Sequence, residues 1–200
     1  MSLAGYRAIR PPFSTPFAEM TAREARAFFE WFVSEIPSRL SELRHALDQN
    51  GGEGVPLDLT AESLEPLGRW LDGHVTMEPE DEARLATARA SIPSFIAAWI
   101  PDRRVTEETL SLCMDIAIYF GETMRRSNPG VEWSYVRKPK RAGDIHQPVL
   151  TPFECGDLNP FQVCRTVVAG VAYMGRSAEE ELPTFYHRWE GWVDLPSAGP

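Results

Sequence analysis

Several things are scarce or missing in this 200-residue sequence. No apolar run reaches the ~20 residues that a bilayer-spanning helix needs, and no short apolar stretch reads as a signal peptide. Cysteine is scarce: Cys113, Cys155 and Cys164 make an odd count with no spacing of a disulfide framework or a paired zinc site. Cys113 and Cys164 lie in apolar helical patterns and read as buried thiols. Basic residues are outnumbered, 20 Lys+Arg against 29 Asp+Glu, for a formal net charge of −9. A surface that neutralises phosphates needs the opposite balance, which argues against a dedicated nucleic-acid-binding protein. Gly-rich phosphate loops, nucleophile elbows and dinucleotide fingerprints are missing too. These gaps leave a cytoplasmic protein with no membrane segment and no implied cofactor.

What is present suffices for a core: 43% of residues are hydrophobic, including six Trp and ten Phe. The chain organises itself around Thr106 to Val136. Thr106 is a helix N-cap, and Glu107 and Glu108 sit where the helix dipole favours negative charge. Leu110 to Phe120 is almost wholly apolar, which predicts a helix buried on several sides. Gly121 lets a neighbour approach closely, and Ser127-Asn128-Pro129-Gly130 stops the helix. Val131, Trp133 and Tyr135 then alternate with polar residues as in a strand. A second strand over 147–153 predicts an antiparallel pair with 131–137.

Before this centre, Pro11, Pro12 and Pro16 exclude helix and predict an extended arm over residues 1–20. Thr21 and Glu24 form a capping box, opening a helix with Phe28, Phe29, Trp31, Phe32 and Ile36 on its apolar face. Pro37 is expected to break or kink it. Thr60 caps a short helix carrying Leu64, Leu67, Trp70 and Leu71. Glu78-Pro79-Glu80-Asp81-Glu82 reads as a helix start, with Leu85, Ile92, Ile96 and Trp99 as its buried stripe. After the centre, Asn159-Pro160 opens an apolar helix containing Gly170, and a close crossing of Gly121 and Gly170 is one arrangement. A last helix begins at Ser177 or at Pro183. The fold class is therefore α+β, predominantly α: six or seven helices around a buried central helix, with a small antiparallel two-stranded element. Residues 21–195 form a single compact domain.

Three groups of residues could carry chemistry. Residues 125–141 hold six basic side chains against Glu132, a local +5 that leaves −14 for the rest of the chain. Arg137, Lys138, Lys140 and Arg141 are the candidate binding residues, and Trp133, Tyr135 and Arg137 share one strand face. Basic and aromatic side chains together suit an acidic protein or, less well, a single-stranded nucleic acid. Asp144, His146, Glu154, Cys155 and Asp157 are ligand-type residues at no metal spacing, and Cys155 lacks the positive surroundings of a catalytic thiol. Asp115 is the one ionisable group in the apolar run and needs a partner or a proton.

At Asp115 to Glu122, at Pro129 to Trp133 and at Asn159-Pro160-Phe161, the chain resembles a group of small uncharacterised bacterial proteins, some of them immunity-like. The resemblance covers roughly residues 105–175 and implies a Gly-Glu-ended helix, a Trp-bearing strand and an Asn-Pro-Phe helix, but no activity. The leading functional expectation is a non-catalytic, protein-binding role, immunity-like or regulatory, with an acidic protein as partner. The alternative is a small hydrolase or metal-dependent enzyme with a cleft beside Asp115, Glu122 and His146.

Overall fold

A computed structural model describes residues 3–97, 99–137 and 143–193. Helix α1 spans Ala22–Gln49. Thr21 accepts a hydrogen bond from the Glu24 amide and the Glu24 carboxylate accepts one from the Thr21 amide, so the capping box closes at both ends. Pro37 does not break this helix. The buried stripe Ala25, Phe28, Phe32, Ile36, Arg39, Leu43 and Leu47 keeps one face turned inward on both sides of the proline. Val33, whose carbonyl loses its amide partner at Pro37, lies on the exposed side where water can replace it.

The central helix, α5, spans Glu107–Ser127 and is capped by Thr106. Leu112, Ile116, Ala117, Ile118 and Phe120 are fully buried. Leu110 departs from expectation: it is 47% exposed, one turn from the helix start and outside the sealed part. Helices α1, α6 (Pro160–Met174) and α7 (Ala178–Glu190) pack on α5. Strands β3 (Glu132–Tyr135) and β4 (Pro148–Thr151) pair antiparallel, with Trp133 opposite Leu150. Gly121 makes room for the Trp133 ring, because an added Cβ would lie 2.4 Å from it. Gly170 instead faces Glu181 and Arg176, so the two glycines do not cross each other.

Helix α2, Leu64–Asp72, docks on α7 through Gly68, where an added Cβ would sit 2.3 Å from the Ala178 carbonyl oxygen. Its last residue also supplies the missing cap of α7. Asp72 accepts hydrogen bonds from the Ala178 amide at 2.6 Å and the Ser177 hydroxyl at 2.6 Å. Helix α7 thus starts at Ala178, with Pro183 inside it and a cap from another element.

A second two-stranded sheet replaces the expected helix start at Glu78. Strand β1, Met77–Pro79, pairs antiparallel with β2, Arg103–Val105. Helix α3 (Glu82–Ala90) begins one residue after Asp81, which accepts from the Arg84 amide at 2.9 Å. A short helix α4, Ser94–Ala97, follows. The architecture is α+β and mainly α, with seven α-helices and two small antiparallel sheets among the described residues. No helix among them is long and apolar enough to cross a membrane.

Candidate interaction surface

The chain leaves its core at β1 and returns at β2, and everything between forms an excursion on a two-stranded neck. The neck is rooted by three hydroxyls: Thr76 Oγ1 lies 2.7 Å from Thr106 Oγ1 and 3.0 Å from Thr109 Oγ1. Across the strands Arg104 pairs with Glu78 at 2.6 Å. From Asp72 to Glu108 no described residue is buried. Helices α3 and α4 pack chiefly on each other.

Of the stripe expected to be core, Leu85 and Ile92 are half-buried and Ile96 and Trp99 lie outside. Phe95 is 75% exposed, Ile96 44% and Trp99 84%. Periodicity grouped Ile96 and Trp99 with Leu85 and Ile92, but a face turned inward needs a covering element, and Trp99 lies past the end of the four-residue α4. Between Ala83 and Pro101 the only charged residues are Arg84 and Arg89, so that stretch carries +2 against −11 for the rest of the chain, while Met77–Val105 as a whole, with four Arg and five acids, carries −1.

Where the neck meets α6, a groove of about 370 Å³ opens. Val105, Leu110, Val168, Ala169 and Tyr173 form its apolar lining, and Arg84, Arg104, Arg165 and Glu80 its polar one. Tyr173 leans across it to donate its hydroxyl to the Arg103 carbonyl at 3.3 Å.

The residues singled out from sequence lie elsewhere and are mostly committed to structure. Asp115 is fully buried and accepts from Arg39 Nε at 2.7 Å and Arg39 Nη2 at 2.6 Å, a two-pronged ion pair. Tyr6 donates its hydroxyl to the same carboxylate at 2.5 Å. Burial pushes the Asp115 carboxyl up, and Arg39 and Tyr6 draw it back. This network also fastens residues 3–10 across α1 and α5: Arg39 donates to the Arg7 carbonyl, Ile9 donates its amide to Ser111, and Arg7 pairs with Glu42.

Glu122 accepts from Trp133 Nε1 at 2.6 Å and from Arg125 at 2.9 Å. His146 holds the Phe17 carbonyl through Nδ1 at 2.8 Å. Asp115, Glu122 and His146 share no partner, and each serves a different junction. Asp144 accepts from Asn159, while Glu154, Cys155 and Asp157 are exposed. Among the described residues no group of three or more His, Cys, Asp or Glu could hold a metal ion.

On β3, Trp133 and Tyr135 do share a face, and that face lies on α1, Trp133 against Phe32 at 5.0 Å and Tyr135 against Phe29 at 5.2 Å. Arg137 stacks on Tyr135 at 4.8 Å and lines an open cavity with Arg26, Phe29 and Glu30. Lys138, Lys140 and Arg141 lie outside the described residues. The surface residues that sequence reasoning missed are Phe95, Trp99, Leu110 and Tyr173, with Arg84, Arg104 and Arg165 beside the last two. The absence of any acid from Ala83 to Pro101, in so acidic a chain, was the available signal. No family model matches the chain, and neither a curated protein nor a solved structure does.

Proposed function

We propose that this protein has a non-catalytic, protein-binding role, immunity-like or regulatory, in the bacterial cytoplasm. The excursion Met77–Val105 is the element it presents to an acidic protein partner. The observation that carries this reading is the exposure of Phe95, Ile96 and Trp99 on an element with no buried residue of its own. Covering Phe95 and Trp99 would remove on the order of 300 Å² of apolar surface from water, about 7 kcal/mol before the costs of association. Large exposed aromatics are the residues that dominate protein interfaces. The stretch around the exposed rings, Ala83 to Pro101, holds Arg84 and Arg89 and no acid, which favours an acidic partner at that tip over a basic one.

Arg137 supports a second contact for the same acidic partner, since its guanidinium lies over the Tyr135 ring and lines an open cavity. A nucleic-acid ligand gains no support, because Trp133 and Tyr135 have their rings against α1 and the chain is strongly acidic. An enzyme using Asp115, Glu122 and His146 gains none either, as their partners lie at three separate junctions.

The test is capture of partner protein from source cells by the native chain and by the Phe95→Ser/Trp99→Ser variant, with circular dichroism as the fold control. The expected result is loss of the captured protein with an unchanged spectrum. Equal capture by the folded variant would remove the excursion from the account.

A further inference from the structure

The groove between the neck and α6 has a chemistry that the exposed aromatics do not share. Its lining is aliphatic, from Val105, Leu110, Val168 and Ala169, with Tyr173 beside them. Leu110 and Tyr173 are 47% and 43% exposed, and Met174 beyond them is 65% exposed. Three guanidiniums face one carboxylate in that lining. Their pairing is incomplete. Arg165 is exposed and makes no hydrogen bond or ion pair among the described residues. Arg84 reaches only Glu80, at 3.9 Å. Arg104 is held by Glu78, and its buried Nε, 3.9 Å from Glu80, has no hydrogen-bond partner among the described residues.

We infer that this groove seats an amphipathic helix of the partner protein, its aliphatic face on Leu110, Val168 and Tyr173 and its carboxylates on Arg84 and Arg165. This rests on the protein-binding reading above and names the partner's chemistry. A cavity of about 370 Å³ suits a few aliphatic side chains, not a whole folded surface. Charge complementarity selects the occupant: three guanidiniums against one carboxylate around an apolar lining fit carboxylates flanking leucines. Self-association and an anionic bilayer are the other occupants that the test distinguishes.

The experiment titrates the ¹⁵N-labelled full chain with an 18-residue synthetic helix of leucine and glutamate faces, and with its twin carrying lysine for glutamate. The expected result is saturable shifts confined to the amides around Leu110, Val168, Ala169 and Tyr173, and none with the lysine twin. Arg84→Glu/Arg165→Glu, two changes at exposed positions, should weaken binding at least tenfold with an unchanged spectrum in the absence of peptide. The inference is overturned by equal binding of the lysine twin, by shifts elsewhere or no saturable shift, by self-association through these residues in ultracentrifugation, or by phosphatidylglycerol vesicles replacing the peptide. The two readings separate cleanly. If the peptide fails while capture still depends on Phe95 and Trp99, the groove assignment falls and the protein-binding role stands.

Discussion

At the scale of single residues, the Arg39–Asp115 pair shows how burial turns a charge from liability into constraint. A carboxylate sealed among aliphatic side chains is tolerable only because a guanidinium and a phenol meet all its strong directions. Arg39→Ala should cost about 3–5 kcal/mol in urea unfolding, since it strands the carboxylate, whereas Arg39→Met with Asp115→Leu should recover most of that loss. A single-variant loss below about 1 kcal/mol would contradict the pairing's role. The need for a partner was legible from Asp115 alone. The partner's identity was not, because Arg39 lies 76 residues away and only the packing of α1 on α5 joins them.

The thiols divide equally sharply. Burial pushes Cys113 up to about 12, and Cys164 well above its ordinary value, while Cys155 is exposed. A thiol reagent near neutral pH should label one cysteine in the native protein and all three after denaturation, and more than one in the native state would contradict it. The linkage sign follows. A pKa raised on folding leaves stability intact below the unfolded value of 9.0, and stability then falls as pH rises toward about 12. Cys113→Ala should make that alkaline loss shallower in unfolding measured across pH 8 to 11.

Elements were legible where their signals are local. The capping box at Thr21, the cap at Thr106 and the Asn159-Pro160 start each lie within four residues of what they organise. The break that Pro37 offered does not occur, because one missing amide is outweighed by a buried stripe running to either side. Strands β1 and β2 were hidden because each is three residues long and Glu78-Pro79-Glu80 also suits a helix start. The cap of α7 could not be read at all, since Asp72 supplies it from another helix. That junction has a test. Gly68→Ala drives a methyl into the Ala178 backbone and should cost about 1–3 kcal/mol, with Gly73→Ala, whose methyl meets only the Trp70 carbonyl at an ordinary 3.6 Å, as a nearly neutral control. Equal melting points for the two variants would contradict the close approach of α2 and α7.

At the scale of the whole molecule, the core and the excursion follow different rules. The core gathers α2, α5, α6 and α7 around Leu112, Ile116 and Phe120, with a second aromatic cluster under α1. Its existence was legible from the density of apolar residues, and so was its centre on α5. Residues 82–100 carry an apolar pattern of the same kind, yet none of the described ones among them is buried. Periodicity specifies a face and leaves open what covers it, which is why a displayed surface read as core. Equilibrium urea unfolding of the Phe95→Ser/Trp99→Ser variant tests this most directly. If these rings are displayed for a partner, the unfolding free energy should stay within about 0.5 kcal/mol of the native value. A loss of several kcal/mol would mean that the rings are packed within the protein, and the proposed binding surface would not exist.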